Sequence, residues 1–153
     1  MSSNCLFCRI AAQQIPAHVI YQDESLMAFL DIHPAREGHT LIIPREHHPY
    51  FEDIPPALMV RMTLLAQRVA RAQKKLFKVE RVGMAITGVH VAHAHIHLIP
   101  MATPNDILLL PLVEQQDLTV ALPPQAESGQ LALTATRIGQ AVAQDSIEQP
   151  GDS

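Results

Sequence analysis

The stretch that decides the fold reads His93-Ala94-His95-Ile96-His97-Leu98-Ile99-Pro100. Histidines alternate with apolar residues, and a strand places successive side chains on opposite faces of its sheet. We therefore predict a strand over 91–100 whose three histidines project from one face, with neighbouring rings about 6.6 to 6.8 Å apart. The residues predicted to face the core are Ala92, Ala94, Ile96 and Leu98. This spacing suits either phosphate chemistry or metal binding.

The rest of the chain predicts an α+β fold. Short apolar runs separated by turn residues predict further strands over 19–21, 26–30, 39–43 and 82–87. Helical spacing predicts a long helix over 55–78, with a face made of Leu58, Met62, Leu65, Val69, Ala72 and Leu76. A C-terminal helix is predicted over 130–143. Strands and helices do not alternate regularly, so we expect about five antiparallel strands with helices on one side.

Length and composition indicate one globular domain. The chain has 153 residues, of which 48% are hydrophobic and 17% charged, and we predict a single domain over 1–144 and a flexible tail over 145–153. A net charge of -4 argues against binding to a nucleic-acid polymer. We see no secretory signal and no apolar run long enough to span a bilayer, so a cytoplasmic protein without a membrane segment is expected.

The two cysteines, Cys5 and Cys8, are separated by two residues. One such pair in a cytosolic chain argues against a disulfide framework and leaves half a zinc site or a redox pair. A redox pair of the thioredoxin type requires a strand before it, and almost nothing precedes Cys5. Zinc is the favoured interpretation, provided that the chain supplies two more ligands.

Four motifs occur in order between residues 5 and 100. They are Cys5-Leu6-Phe7-Cys8, Phe29-Leu30-Asp31-Ile32, the stretch from Gly38 to His47, and the histidine run ending in Leu98-Ile99-Pro100. Together they resemble the histidine triad (HIT) superfamily, and the cysteine motif is similar to that of bacterial zinc-containing members. The resemblance implies a HIT-like fold and a homodimer, in which the long helix and a central strand pair across a two-fold axis.

The resemblance also implies an activity. Such proteins are nucleotide hydrolases or transferases that attack an α-phosphate, with phosphoramidates, dinucleoside polyphosphates or acyl-nucleotides as substrates. The middle histidine, here His95, would form a nucleotidyl-histidine intermediate. Chemistry favours this role, since an ordinary imidazole with a pKa near 6.5 keeps its lone pair at neutral pH. Its second ring nitrogen would donate to a backbone carbonyl next to His93.

The resemblance assigns the other residues of the site. The catalytic group is His95, His97, His39 and His93, with His97 bound to phosphate or leaving group and His39 orienting the triad. Asp31 would receive the ribose hydroxyls of a purine nucleotide, and Leu30 and Ile32 would contact the base. Two alternatives remain open, because Asp31 could cap a turn and His39 could be an ordinary core histidine.

The missing zinc ligands come from the same resemblance. Cys5, Cys8, His47 and His93 would hold a structural zinc ion in tetrahedral geometry. His48 is adjacent and remains an alternative ligand to His47. A site of two reduced thiols without metal also remains open.

The chain departs from the family just before the triad. Many members carry Gly-Gln-Ser/Thr-Val there, where this chain has Gly88-Val89-His90-Val91. Val89 cannot donate a hydrogen bond to phosphate, although His90 can. The asparagine usually found upstream is replaced by the apolar run 82–86. We therefore predict a shallower phosphate site with an altered nucleotide preference.

Two other functions compete with hydrolysis. The first is a purine-nucleotide-binding interaction module with little catalysis, which Val89 and the missing asparagine favour. The second is a catalytic metalloprotein whose three triad histidines hold one ion. On a straight strand those histidines span about 13 Å, too far for one ion, and the second function leaves the cysteines unexplained.

Overall fold

Five strands form one antiparallel sheet in the computed structural model, which describes residues 4–88, 91–108 and 125–145. The strands are β1 (Val19–Gln22), β2 (Leu26–Leu30), β3 (Thr40–Pro44), β4 (Arg81–Ala85) and β5 (Ile96–Met101). Their order in the sheet is β1-β2-β3-β5-β4. The helices are α1 (Leu6–Ala11), α2 (Pro56–Phe77) and α3 (Ser128–Ala143), with short 3-10 turns at Phe51–Asp53 and Asp106–Leu108. The predicted α+β architecture is confirmed.

The long helix α2 and the C-terminal helix α3 cover one face of the sheet. Their apolar residues pack against the inward side chains of β2, β3 and β5, including Ala28, Ile42 and Ile96. The predicted apolar face of α2 is confirmed, because Met62, Leu65, Val69 and Ala72 are all buried. One member of this buried face is polar: Gln73 is completely inaccessible to solvent.

The opposite face of the sheet carries α1, a helix that the sequence analysis does not predict. Phe7, Cys8 and Ile10 from this helix pack on Phe29 and Ile43. Strand residues alternate between the two faces, which explains why β2 and β3 are buried at every position. The site described below lies on the α1 side of the sheet.

The predicted strand over 91–100 is wrong in its first half, because β5 begins only at Ile96. The backbone bends before it: the His93 N–H donates to the Val91 carbonyl at 2.8 Å, and the Ala94 N–H donates to the His48 carbonyl at 2.7 Å. Ala92 is exposed and not in the core. Ala94, Ile96 and Leu98 do face the core on the α2 side, as predicted.

A nine-residue loop over 31–39 joins β2 to β3 and carries three of the predicted site residues, Asp31, Ile32 and His39. Its ends are held together by a hydrogen bond from the Asp31 N–H to the His39 carbonyl at 3.0 Å. Its middle is tied down by Arg36, whose guanidinium binds both carboxylate oxygens of Asp106 at 2.9 Å. These contacts fix the loop at one end of the sheet.

Two further findings concern the limits of the domain. Among residues 4–88, 91–108 and 125–145, no helix combines the length and hydrophobicity that a membrane crossing requires. Asp145, the first residue of the predicted tail, accepts a hydrogen bond from Arg71 at 2.8 Å, and residues 146–153 lie outside the described part of the chain. The predicted boundary at residue 144 stays a prediction.

Candidate active site and metal centre

Two of the three triad histidines, His95 and His97, lie side by side on the α1 face. Their ring centroids are 4.7 Å apart, closer than the spacing predicted for a straight strand. His97 lies in β5 opposite Leu41 of β3. Phe7 of α1 packs edge-on against the His95 ring, with the centroids 5.0 Å apart. Both histidines are therefore buried and held by neighbouring rings.

The protonation of His95 is set by the backbone. Its Nδ1 lies 2.8 Å from the carbonyl oxygen of His93. A carbonyl oxygen can only accept, so Nδ1 must carry the proton in the neutral ring. The lone pair of His95 is therefore on Nε2. The predicted backbone acceptor next to His93 is thus the carbonyl of His93 itself.

His97 has the opposite tautomer, and His39 determines it. The Ala35 N–H donates to His39 Nδ1 at 3.1 Å, so a neutral His39 carries its proton on Nε2. That nitrogen lies 3.0 Å from His97 Nδ1 and donates to it. A neutral His97 must then carry its own proton on Nε2. The site therefore places a lone pair on His95 Nε2 beside an N–H on His97 Nε2.

Electrostatics keep His39 in the neutral form that this chain of hydrogen bonds requires. Burial lowers the pKa of His39 below its usual value, and the Asp31 carboxylate, 3.8 Å from Nε2, opposes the shift only in part. Asp31, His39 and His97 offer three potential metal ligands within 4.8 Å of one another. Within this group, the His39 Nε2–H donates to His97 Nδ1 at 3.0 Å, and the Asp31 carboxylate lies 3.8 Å from His39 Nε2.

The depressed pKa of His39 predicts an acid-sensitive fold. The unfolded chain binds a proton at His39 near pH 6.5 and the folded chain only at lower pH, so stability is lost as the pH falls below about 6.5. This loss amounts to at most about 1.4 kcal/mol per pH unit. His39→Gln should flatten the decline between pH 7.5 and 5.5, measured by urea unfolding. A decline as steep in His39→Gln as in the wild type would contradict this.

The second group of titratable side chains is the predicted zinc set. The metal-binding atoms of Cys5, Cys8, His47 and His93 all lie within 4.8 Å of one another. The His93 Nδ1 atom is 3.3 Å from Cys5 Sγ and 3.5 Å from Cys8 Sγ, and His47 Nδ1 is 3.2 Å from Cys8 Sγ. Tetrahedral zinc, with bonds of about 2.3 Å to sulfur and 2.0–2.1 Å to nitrogen, requires such separations.

The surroundings of His93 also fit a metal ligand. Its Nε2 lies 2.7 Å from the Pro44 carbonyl and must donate to it, which leaves the Nδ1 lone pair directed at the cysteines. Burial lowers the pKa of His93 to about 4, so the ring is neutral and able to coordinate at pH 7. His48 is outside this cluster; its Nε2 lies 3.6 Å from a Glu46 carboxylate oxygen.

The triad histidines therefore separate into two environments. The His93 side chain lies with the cysteines, and its carbonyl reaches His95. His97 belongs with His39, and His95 belongs to neither metal-capable group among the described residues. This arrangement argues against the competing function in which all three triad histidines hold one catalytic ion.

The predicted substrate-binding residues differ from one another in exposure and in their contacts. Ile32 is 42% exposed and accessible to a ligand. Asp31 accepts the His33 N–H on one oxygen at 2.8 Å, which forms the turn of the alternative interpretation. Its other oxygen lies 3.8 Å from His39 Nε2, and its contact with ribose stays a prediction. Leu30 is buried in the core cluster and also lines a cavity together with Asp31 and His39. Its contact with a base stays a prediction. Val89 and His90 lie outside the described residues.

Two contributors to the site were not singled out in the sequence. Phe7 lies between the two cysteines of its motif, and its aromatic character was the available signal. Ala35 acts through its backbone N–H, which no side-chain pattern reveals. The Phe7–His95 contact joins segments that are distant in sequence, whereas Ala35 lies only four residues before His39.

Comparison with known proteins agrees with this geometry. The family model described as HIT domain matches residues 12–104. The chain belongs to the HIT family. The HIT match includes the 31–39 loop, the sheet and the triad, whereas α1 and α3 lie outside it.

Individual HIT relatives are similar over about two thirds of the chain. An uncharacterized HIT-like protein of Methanocaldococcus jannaschii is 35% identical over 100 residues, covering 63% of this chain and 78% of its own. An adenosine 5'-monophosphoramidase of Saccharomyces cerevisiae is 37% identical over 101 residues, covering 65% and 64%. The crystal structure of a Zn-bound histidine triad family protein from Mycobacterium smegmatis superimposes with a TM-score of 0.69 at 28% identity, covering 92% and 94%.

Proposed function

We propose that this HIT protein hydrolyses nucleotide conjugates in two displacements through a nucleotidyl group on His95. The observation that carries the proposal is the set of hydrogen-bond partners of the two rings, which requires opposite tautomers: a lone pair on His95 Nε2 and a proton on the Nε2 of the adjacent His97. A nucleophile beside a hydrogen-bond donor is what attack on a phosphoryl group requires. The similarity to a yeast adenosine 5'-monophosphoramidase supports the same reaction class.

In the first displacement, His95 Nε2 attacks the α-phosphorus, the P–N bond to the ring forms, and the bond to the leaving group breaks. The ring becomes cationic, and the charge-assisted hydrogen bond from Nδ1 to the His93 carbonyl stabilises it. His97 Nε2–H is the donor available to the phosphoryl oxygens or to the leaving group. Water then attacks phosphorus, the P–N bond to His95 breaks, and a nucleoside monophosphate is released.

The proposed substrate contains a purine nucleoside. The Asp31 carboxylate, at the end of β2, is the acceptor we assign to the ribose hydroxyls. The exposed Ile32 side chain offers an apolar surface for the base. Phosphoramidates, dinucleoside polyphosphates and acyl-nucleotides share this nucleoside monophosphate and differ only in the group that leaves.

We assign a structural role to a zinc ion held by Cys5, Cys8, His47 and His93. Such an ion joins α1 to the bend before β5, and α1 carries Phe7 against the nucleophile. Water activation by the metal is unnecessary, because His95 supplies the nucleophile. Two thiols used as metal ligands suit a reducing compartment, and we propose the cytoplasm.

We also propose a homodimer formed along β4. This strand is at the edge of the described sheet, where one side can pair with a second copy. We place the contact there and not on a central strand as first expected, because each central strand already has two neighbours in the sheet. Met84 of β4 is 54% exposed, an unusual position for a large apolar side chain in the middle of a strand unless a partner covers it. Sedimentation equilibrium at increasing protein concentration tests this assembly.

The reaction class can be tested by stereochemistry. An adenosine phosphoramidate with a chiral, sulfur-substituted α-phosphorus should be hydrolysed with retention of configuration, because each of two in-line displacements inverts it. Direct attack by water would give inversion and contradict the proposal. Binding of the nucleotide without any turnover would indicate the alternative, a nucleotide-binding module. Parallel assays with a dinucleoside polyphosphate and an acyl-nucleotide identify the preferred leaving group.

A further inference from the structure

Gln73 occupies a position on the buried face of α2 where the helical spacing predicts an apolar residue. It lies on the core face of α2 and is completely buried. Burying an amide is unfavourable unless its polar atoms are hydrogen-bonded. The partners of Gln73 therefore indicate what its amide contributes.

The Gln73 amide bridges two segments of the site. Its Nε2 donates to the Gly38 carbonyl at 2.9 Å and to the Leu98 carbonyl at 3.1 Å. Because carbonyl oxygens only accept, the orientation of the amide is determined by these neighbours. Gly38 directly precedes His39, and Leu98 directly follows His97. One side chain thus holds the backbone next to both members of the His39–His97 hydrogen bond.

The sheet alone gives this end of the site limited support. Thr40 opposite Leu98 is the outermost pair of the β3–β5 ladder, so His39 lies just beyond it. The Thr40 hydroxyl adds a bond to the Gly38 carbonyl at 2.8 Å. Gly38 has a φ of +90°, and a Cβ there would lie 2.4 Å from the Phe77 ring. Gln73 and Phe77, one turn apart on α2, therefore fix the turn that directs His39.

We propose that Gln73 is a positioning residue for the reaction: it keeps His39 Nε2 within hydrogen-bond distance of His97 Nδ1 and so maintains the proton on His97 Nε2. This inference rests on the proposed function, since the tautomer of His97 matters only if its Nε2–H contacts the phosphate or leaving group. Gln73 touches no reacting atom. Its effect passes through the backbone of Gly38 and Leu98.

The test compares Gln73→Met with Val69→Ala. Methionine keeps the length of the side chain and removes both donors. Val69 lies one turn earlier on the same buried face of α2, so Val69→Ala weakens the same core without removing a hydrogen bond to either carbonyl. Two measurements are made on each variant: the tautomers of His39 and His97 by long-range ¹H–¹⁵N NMR, and kcat and KM for an adenosine phosphoramidate.

We expect Gln73→Met to give a mixture of His97 tautomers and to lower kcat roughly 10- to 100-fold with little change in KM, as a small misplacement of catalytic groups does. Val69→Ala should lower the melting temperature but keep the wild-type tautomers and kcat. A wild-type tautomer pattern in Gln73→Met would overturn the proposal. If Gln73→Met does not fold, Gln73→Asn, whose amide is too short to reach both carbonyls, is expected to show the same changes.

The NMR measurement separates this inference from the proposed function. Tautomers are measured in the absence of substrate, so a loss of the His97 tautomer in Gln73→Met shows that Gln73 maintains the His39–His97 hydrogen bond even if the wild-type protein hydrolyses no conjugate. In that case only the proposed function fails. Unchanged tautomers together with normal turnover of the wild type overturn the positioning role and leave the proposed function intact.

Discussion

Replacing His95 with glutamine should lower the turnover of an adenosine phosphoramidate by at least about 10⁴-fold, the scale of loss seen when a covalent nucleophile is removed. Glutamine fills much of the same space but offers no basic nitrogen to attack phosphorus. Its amide nitrogen can still donate to the His93 carbonyl, which now accepts from His95 Nδ1 at 2.8 Å. The fold should therefore survive while the covalent step is lost. Turnover is measured under single-turnover conditions with saturating enzyme.

His97→Gln is the matched control for this experiment. His97 lies two residues further along the same strand and is buried to a similar degree. Glutamine at this position retains an N–H donor, so the loss should stay at or below about 10²- to 10³-fold, the effect of removing one donor from a developing negative charge. Equal losses in both variants would contradict the assignment of separate roles to the two histidines. Near wild-type turnover in His95→Gln would exclude His95 as the nucleophile.

The largest expected effect on stability comes from removing a zinc ligand. His47→Ala should abolish stoichiometric zinc binding, because His47 Nδ1 lies 3.2 Å from Cys8 Sγ within the four-residue cluster. At a free zinc concentration 1,000 times Kd, binding contributes about 4.1 kcal/mol to stability. For a chain of this size, that loss corresponds to a decrease in Tm of roughly 8 to 16 °C. Mass spectrometry measures the zinc content of the variant, and thermal unfolding measures the decrease in Tm.

His48→Ala provides the control, because His48 is the neighbouring histidine and lies outside the cluster. This variant should keep one zinc ion per chain and respond to chelator as the wild type does. A chelator should lower the Tm of wild type and of His48→Ala, and it should have little effect on His47→Ala. Loss of zinc from His48→Ala with retention by His47→Ala would reverse the ligand assignment.

Much of the fold was predictable because apolar residues repeat with the period of each element. The face of α2 that includes Met62, Leu65 and Val69 follows a 3–4 spacing and is buried as predicted. The strands β2 and β3 were found from short apolar runs with turn residues at their ends. Each element buries one face against a single core, so the spacing of its apolar residues is enough to predict it.

The start of β5 was mispredicted for a physical reason. Alternation over 91–95 looks like a strand, but the His93 side chain is directed to the cysteines, and the Ala94 N–H pairs with the His48 carbonyl. These long-range contacts outweigh the local pattern. The helix α1 was missed likewise, because it is only six residues long and is stabilised by packing on the sheet.

The candidate site was predictable to the level of residue identities but not of proton positions. The resemblance to the HIT superfamily predicted His95, His97 and His39 as site residues, and it also predicted the four zinc ligands. Which nitrogen of each ring carries the proton depends on backbone groups, the His93 carbonyl and the Ala35 N–H. The role of Gln73 was also hidden, since a single glutamine on a helix face has no distinguishing pattern.

The most direct measurement is intact-protein mass spectrometry of the enzyme mixed with an adenosine phosphoramidate and quenched in base, where a phosphorus–nitrogen bond to histidine survives. We predict a mass increase of one adenosine monophosphoryl group, mapped by peptide sequencing to His95 and absent from His95→Gln. Hydrolysis that proceeds without this adduct at any quench time, or an adduct on another residue, would contradict the central claim.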